Sequence, residues 1–172
     1  FALNKNMATL IRRITNEIDT VPAKGTALNG SVTVSTSDAK ALLYSGTANM
    51  NLLFADQEMY GNSNRWIYIT DATPKLAKVT GLAQTGTTTF TLYLDRDVTG
   101  VSADTCYAIT GDLLSWSVTN DGGADGELNG ETILDGETLS SMQLAPAGSR
   151  VNFQDVILID ATGTDFLIQE VK

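Results

Sequence analysis

The chain has 172 residues, 42% of them hydrophobic, and a net charge of −9. That size and composition describe a folded protein of one domain or two small ones, not a disordered chain. Histidine is absent, which excludes Ser-His-Asp triads, Cys-His dyads and imidazole metal sites.

The charge is uneven. Residues 1–96 carry nine basic and seven acidic side chains, whereas residues 97–172 carry two basic and thirteen acidic ones. Nucleic-acid binding requires concentrated positive charge, so direct contact with DNA or RNA is not expected. An acidic surface favours solubility, and it also suits a basic partner or cations. No apolar run approaches the roughly 20 residues that cross a bilayer; the longest, around Val156 to Ile159, is strand-sized, and no membrane contact is expected.

In chain order, residues 4–19 predict an amphipathic helix. Met7, Leu10, Ile11, Ile14 and Ile18 fall on one stripe at the 3.6-residue period, with Arg12, Arg13, Asn16, Glu17 and Asp19 on the other faces. Asn4 or Asn6 caps its start, and Pro22 follows its end. The stripe packs either on the chain's own body or on a neighbouring subunit, which makes these five apolar residues the candidate partner interface. Val21 to Gly30 is linker-like, and Ser31 to Ser35 alternates as a strand. Ala41 to Tyr44 is either strand or a short helix capped by Ser37-Asp38, and residues 47–60 favour neither state.

From Arg65 onward strands dominate. Trp66-Ile67-Tyr68-Ile69-Thr70 is aromatic and β-branched, and Leu76 to Thr80 follows a turn at Pro74. Beyond a Gln84-Thr85-Gly86 turn, Phe90, Leu92 and Leu94 share one face of an alternating strand. Cys106 to Ile109 closes this run. As the single cysteine, Cys106 excludes an intrachain disulfide, and its alternating setting reads as a buried structural thiol. The spacing suggests a small barrel or sandwich.

The last third reads as short strands between tight turns. Leu114 to Thr119 leads into Asn120-Asp121-Gly122-Gly123. Asn129-Gly130 and Asp135-Gly136 then supply the positive φ angles of two-residue hairpin turns. Strands at 151–159 and 166–171 follow, joined by Asp160 to Asp165. The expected fold is therefore mainly β. It comprises one or two small antiparallel sandwich or barrel units behind an N-terminal helix, divided as residues 1–20, 21–112 and 113–172.

Chemistry is sparse in this pattern. Asp121, Asp125, Glu127, Glu131 and Asp135 lie in a Gly-rich segment and offer oxygen ligands to calcium. Their spacing misses the helix-loop-helix template, however, because Thr132 stands at the twelfth position from Asp121 and no glycine at the sixth. Turn-forming Asp and solvated Glu account for the same residues, so no metal is expected. Paired carboxylates of the glycosidase kind have no supporting motif. Trp66, Trp116, Tyr68 and Tyr93 could form a glycan platform, although aromatics inside alternating strands more often belong to a core. The glycines at 122, 123 and 126 have no Lys partner and sit among acids, which removes a phosphate loop. No cofactor and no catalytic residue are expected.

Two stretches carry a family resemblance. Ser117 to Gly126, Asn129-Gly130, Ile133-Leu134, Asp135 to Thr138 and Ile159 to Ile168 together resemble a small β module of tailed-bacteriophage structural proteins. In such modules a strand ends in a Gly-rich turn, an Asn-Gly hairpin follows, and a strand similar to Asp160-Ala161-Thr162-Gly163-Thr164-Asp165-Phe166-Leu167-Ile168 ends the chain. Arg65 to Ile69, Val79, Phe90 to Leu92 and Cys106 to Ile109 likewise resemble small barrels of phage virion proteins. The resemblance implies a non-enzymatic virion protein, active through protein–protein contacts in capsid decoration or head–tail or tail assembly. It implies other virion proteins and further copies of the chain as partners. The competing expectation is an extracellular carbohydrate-binding β module.

Overall fold

A computed structural model describes residues 9–24, 26–59, 66–109, 115–140 and 157–171. In chain order the elements begin with β1 (Thr9–Thr15), β2 (Ile18–Val21), β3 (Gly30–Val34), β4 (Ala41–Gly46) and α1 (Met50–Met59). Next come β5 (Trp66–Thr70), β6 (Lys75–Gln84), β7 (Thr89–Leu94), β8 (Thr105–Ile109) and β9 (Ser115–Asn120). The chain closes with β10 (Gly126–Leu128), β11 (Glu131–Ile133), β12 (Thr138–Ser140), β13 (Ile157–Asp160) and β14 (Asp165–Val171). Every pairing among these strands is antiparallel. The chain divides into two compact units, residues 1–22 with 112–172, and residues 23–111.

The discontinuous unit is a sandwich of two four-stranded sheets, ordered β1-β14-β9-β12 and β11-β10-β13-β2. Alternation along the strands turns Ile14, Trp116, Val118, Phe166 and Ile168 of the first sheet inward. They meet Val21, Leu128, Ile133, Ile157 and Ile159 of the second in one buried core. β1 and β2 are consecutive yet enter different sheets. The turn at Asn16-Glu17 makes this possible, with Asn16 at a φ of 50° and its Oδ1 accepting the Gly163 N–H at 2.9 Å.

The helix expected over residues 4–19 is replaced, within the described residues, by β1 and β2. Four β-branched residues of seven in Thr9–Thr15 favour an extended backbone. The period that governs the segment is two, which brings Arg12 inward beside Ile14. A helical stripe assigns Arg12 to solvent. Its actual place is inside the sandwich, where it donates to Asp19 and Glu170. Residues 4–8, and Met7 among them, lie outside the described residues.

The contiguous unit is a six-stranded sheet ordered β3-β4-β7-β6-β5-β8. It curls far enough for its two ends to meet. Val32 and Asp104 exchange backbone hydrogen bonds of 3.0 Å each, and the Leu28 N–H reaches Cys106 O at 2.9 Å. A register shift between Val79 and Gly81 assists the bend. Inside lie Val32, Leu42, Tyr44, Ile67, Ile69, Val79, Phe90, Leu92 and Cys106. Residues 47–60, ambiguous in sequence, contain α1. Asn49 caps it by accepting the Asn51 N–H at 3.0 Å, and Met50 and Phe54 join the core of this unit. Residues 41–46 are strand, not helix.

Candidate functional site

The richest polar construction among the described residues is a set of turns at one end of the sandwich, gathered around Asn120. This side chain is fully buried at the end of β9. Its Nδ2 donates to Ala124 O at 2.7 Å and to Ile133 O at 3.0 Å. Its Oδ1 accepts from the Thr164 hydroxyl at 2.7 Å and, more loosely, from the Gly122 N–H at 3.4 Å. The Asn120 backbone adds bonds to Glu137 O at 2.9 Å and from the Gly136 N–H at 2.8 Å. One residue thus ties the turns at 121–125, 134–137 and 161–164 to the strand. Close packing completes the joint, since a Cβ added at Gly126 would stand 2.5 Å from the Phe166 ring.

Acidic residues rim this end, and Asp125, Glu127, Thr132, Asp160 and Thr162 line an open depression of about 440 Å³. Their carboxylates are largely engaged by nearby N–H groups. Asp125 Oδ1 accepts the Asp135 N–H at 3.2 Å, and Asp135 Oδ1 accepts the Gly123 N–H at 3.1 Å. Asp160 Oδ1 accepts the Thr162 N–H at 2.9 Å, and Glu137 Oε2 accepts the Leu134 N–H at 3.0 Å. Asp121 receives both arms of the Arg13 guanidinium at 2.8 Å each. Hydrogen bonding to Asp121 and its charge raise the Arg13 pKa against desolvation, with a lesser contribution from the charge of Asp165. Glu127 and Glu131 stand exposed on β10 and β11. Of the five acids weighed for calcium, Asp125 and Asp135 thus brace turns, Asp121 pairs with Arg13, and Glu127 and Glu131 are exposed. Among the described residues no group of three His, Cys, Asp or Glu side chains is placed to hold a metal ion.

The candidate interface residues are dispersed. Ile14 is 1% exposed in the sandwich core, and Ile18 is half-buried opposite Asp160 in β13. Leu10 and Ile11 are exposed on β1, but on opposite faces of that strand. The aromatics weighed for glycan binding divide sharply. Trp66, Trp116 and Tyr68 are buried, whereas Tyr93 is 44% exposed. Trp116 fills the sandwich core. Trp66 lies 5.5 Å from the Arg96 guanidinium, and Tyr68 lies beneath Lys24 and packs on Tyr107.

Cys106 is fully buried in the contiguous unit, where desolvation pushes its thiol up to about 12. Only the thiolate alkylates rapidly. Native protein at pH 8 is therefore expected to resist iodoacetamide for hours and to be labelled once urea unfolds this unit, as read by intact mass. Rapid native labelling would contradict the packing.

No helix among the described residues is long and apolar enough to cross a membrane. No protein-family model, curated protein or solved structure matches the chain.

The missed feature is Asn120, the hub of the turns. Its signal was present as Asn-Asp-Gly-Gly after a strand, but the sequence pattern marks such a residue as a turn-former and not as a buried anchor.

Proposed function

We propose that this chain is a non-enzymatic structural protein of a bacteriophage virion, acting in capsid decoration or in head–tail or tail assembly. Other virion proteins and further copies of the chain would be its partners. The observation that carries this reading is the Asn120 turn cluster. The stretch that resembles phage β modules is the one whose polar groups are engaged in holding turns rigid, and a rigid β body that presents loops and strand edges suits assembly. The virion location follows from the resemblance.

The alternative, an extracellular carbohydrate-binding module, needs exposed rings, and three of its four candidate aromatics are interior. Native tryptophan emission is accordingly expected to be blue-shifted and unmoved by oligosaccharides. Light scattering on the full chain is expected to give a mass above 18.3 kDa at high concentration. Emission typical of exposed indole that shifts on titration with sugar would overturn the virion reading in favour of the glycan module.

A further inference from the structure

The sandwich is built from two stretches of chain that the whole contiguous unit separates, residues 1–22 and 112–172. In the first stretch β1 and β2 form an arch, with one strand in each sheet. Arg12 holds the arch to itself by donating to Asp19 Oδ2 at 2.6 Å and to the Thr20 carbonyl. Both are edge strands, β1 beside β14 and β2 beside β13. The arch can therefore leave and return as one piece without unpairing any of β9 to β14 from one another. What fits in its place is set by the body it leaves. β14 offers a register of seven residues and β13 one of four. Between them the buried Glu170 calls for an inward cation, and the core for Ile14 and Val21. Charge points the same way. Residues 1–22 carry three basic and two acidic side chains, whereas residues 112–172 carry two and eleven. Residues 9–21 of a second copy meet all of these demands.

We propose that two copies of the chain exchange this arch, residues 9–21 of each completing the sandwich of the other. The contacts exchanged are those of the monomer, which makes such a swap a low-cost route to a dimer. Exchange is reciprocal, because a sandwich without an arch leaves Glu170 facing the core with no counter-charge. An arch tethered to its own body competes at an effective concentration on the order of 1 mM. Exchanged dimers therefore become prevalent near that concentration and wherever copies are packed together. The inference specifies how further copies would be joined, and it rests on strand register and charge, not on the bacteriophage assignment.

Disulfide capture on the full chain tests this. Ile11 and Gln169 stand opposite each other in β1 and β14, and both are exposed. The bond from the Asn16 N–H to Thr164 O fixes the alternation of the ladder and makes theirs a non-hydrogen-bonded pair. The separation of about 4.5 Å between Cα atoms in such a pair suits a disulfide. One copy carries Ile11→Cys and another Gln169→Cys. The two are unfolded together in urea, refolded at about 1 mM, and oxidised once Cys106 is again buried. The expected product is a disulfide between positions 11 and 169 of different chains, at twice the chain mass, identified by peptide mapping. Its yield falls roughly tenfold or more when refolding is done at about 10 μM. A single chain with both substitutions closes the same bridge internally at that lower concentration. Failure of the internal bridge would overturn the register and the proposal with it. With the internal bridge formed, absence of the mixed disulfide at the higher concentration overturns the proposal. So does a bridge between two Ile11→Cys copies in its place, which marks edge-to-edge pairing of β1 instead.

Discussion

Arg12→Met is expected to destabilise the sandwich unit by about 3–5 kcal/mol, the cost typical of removing one partner from a buried ion pair. Arg12 links three strands. Its Nη1 donates to Asp19 of β2 at 2.6 Å, its Nε and Nη2 donate to Glu170 of β14 at 3.1 and 2.9 Å, and Nη2 also reaches the Thr20 carbonyl. The side chains of Arg12 and Asp19 are 16% and 12% exposed, and that of Glu170 is fully buried. Surface screening is therefore slight, and the methionine variant leaves two carboxylates facing each other inside the sandwich without their cation. The triple variant Arg12→Met, Asp19→Leu, Glu170→Leu removes charge and counter-charge together and should recover most of the loss, since apolar replacement of a whole buried cluster is often neutral. Urea unfolding followed at Trp116, which pairs with Glu170 in the β9–β14 register, reads this unit. A Trp66→Phe background silences the other indole, because a two-unit chain need not unfold in a single transition. An Arg12→Met midpoint equal to that of the parent would show that the ion cluster contributes nothing. By contrast Arg13 is 48% exposed in its pair with Asp121, and Arg13→Ala should leave the urea midpoint almost unchanged.

The second large effect belongs to Asn120. Asn120→Ala removes a donor from the Ile133 carbonyl and leaves the Ala124 carbonyl and the Thr164 hydroxyl with their mutual bond of 2.9 Å, so a loss of about 1–3 kcal/mol is expected. Asn120→Asp distinguishes hydrogen bonding from packing. Its shape is nearly the same, but an ionised carboxylate would face two carbonyl oxygens where the amide donates. The charged form is disfavoured in the folded state, so the introduced acid has a raised folded pKa. By linkage, its stability is fully present below the unfolded carboxyl pKa and is lost as pH rises through the folded one. Relative to parent, Asn120→Asp should therefore be near-normal around pH 4 and strongly destabilised at pH 7. A pH-independent deficit, measured by urea midpoints across that range, would show that volume and not hydrogen bonding governs the site.

Much of the β architecture was legible from the residues, and the exceptions have physical causes. Trp66–Thr70, Phe90–Leu94 and Cys106–Ile109 carry the alternation and β-branched content that strands demand, and Asn129-Gly130 makes the β10–β11 hairpin with positive φ at both residues. Asp135-Gly136, expected as a second hairpin, is instead a turn that carries the chain from β11 in one sheet to β12 in the other. The first strands were misread because Leu10, Ile11, Ile14 and Ile18 satisfy a helical stripe as well as two short strands do. What decided between them was tertiary. Arg12 finds Glu170 at the far end of the chain, and no local pattern announces a partner 158 positions away. The turn cluster was half legible: Asp and Gly residues marked the turns, but convergence of three of them on Asn120 depends on β9 pairing with both β12 and β14.

The pairing of β1 with β14 also carries a consequence for biosynthesis. Residues 1–22 leave the ribosome before the rest of this stretch, yet Thr9 finds its partner only at Val171. All of residues 23–111 and most of the second half of the sandwich must be made in between, which takes on the order of 10–30 s at ordinary elongation rates. The contiguous unit has its complete set of strands once Ile109 is made, before the sandwich does. The first two strands of the sandwich meanwhile wait as an open edge, with Ile14 and Val21 not yet covered by the core they will join. An arginine facing inward on such a strand discourages premature pairing with the nascent strands of neighbouring polysomes. The charge that holds the finished sandwich together thus also guards its oldest strand while the rest is being translated.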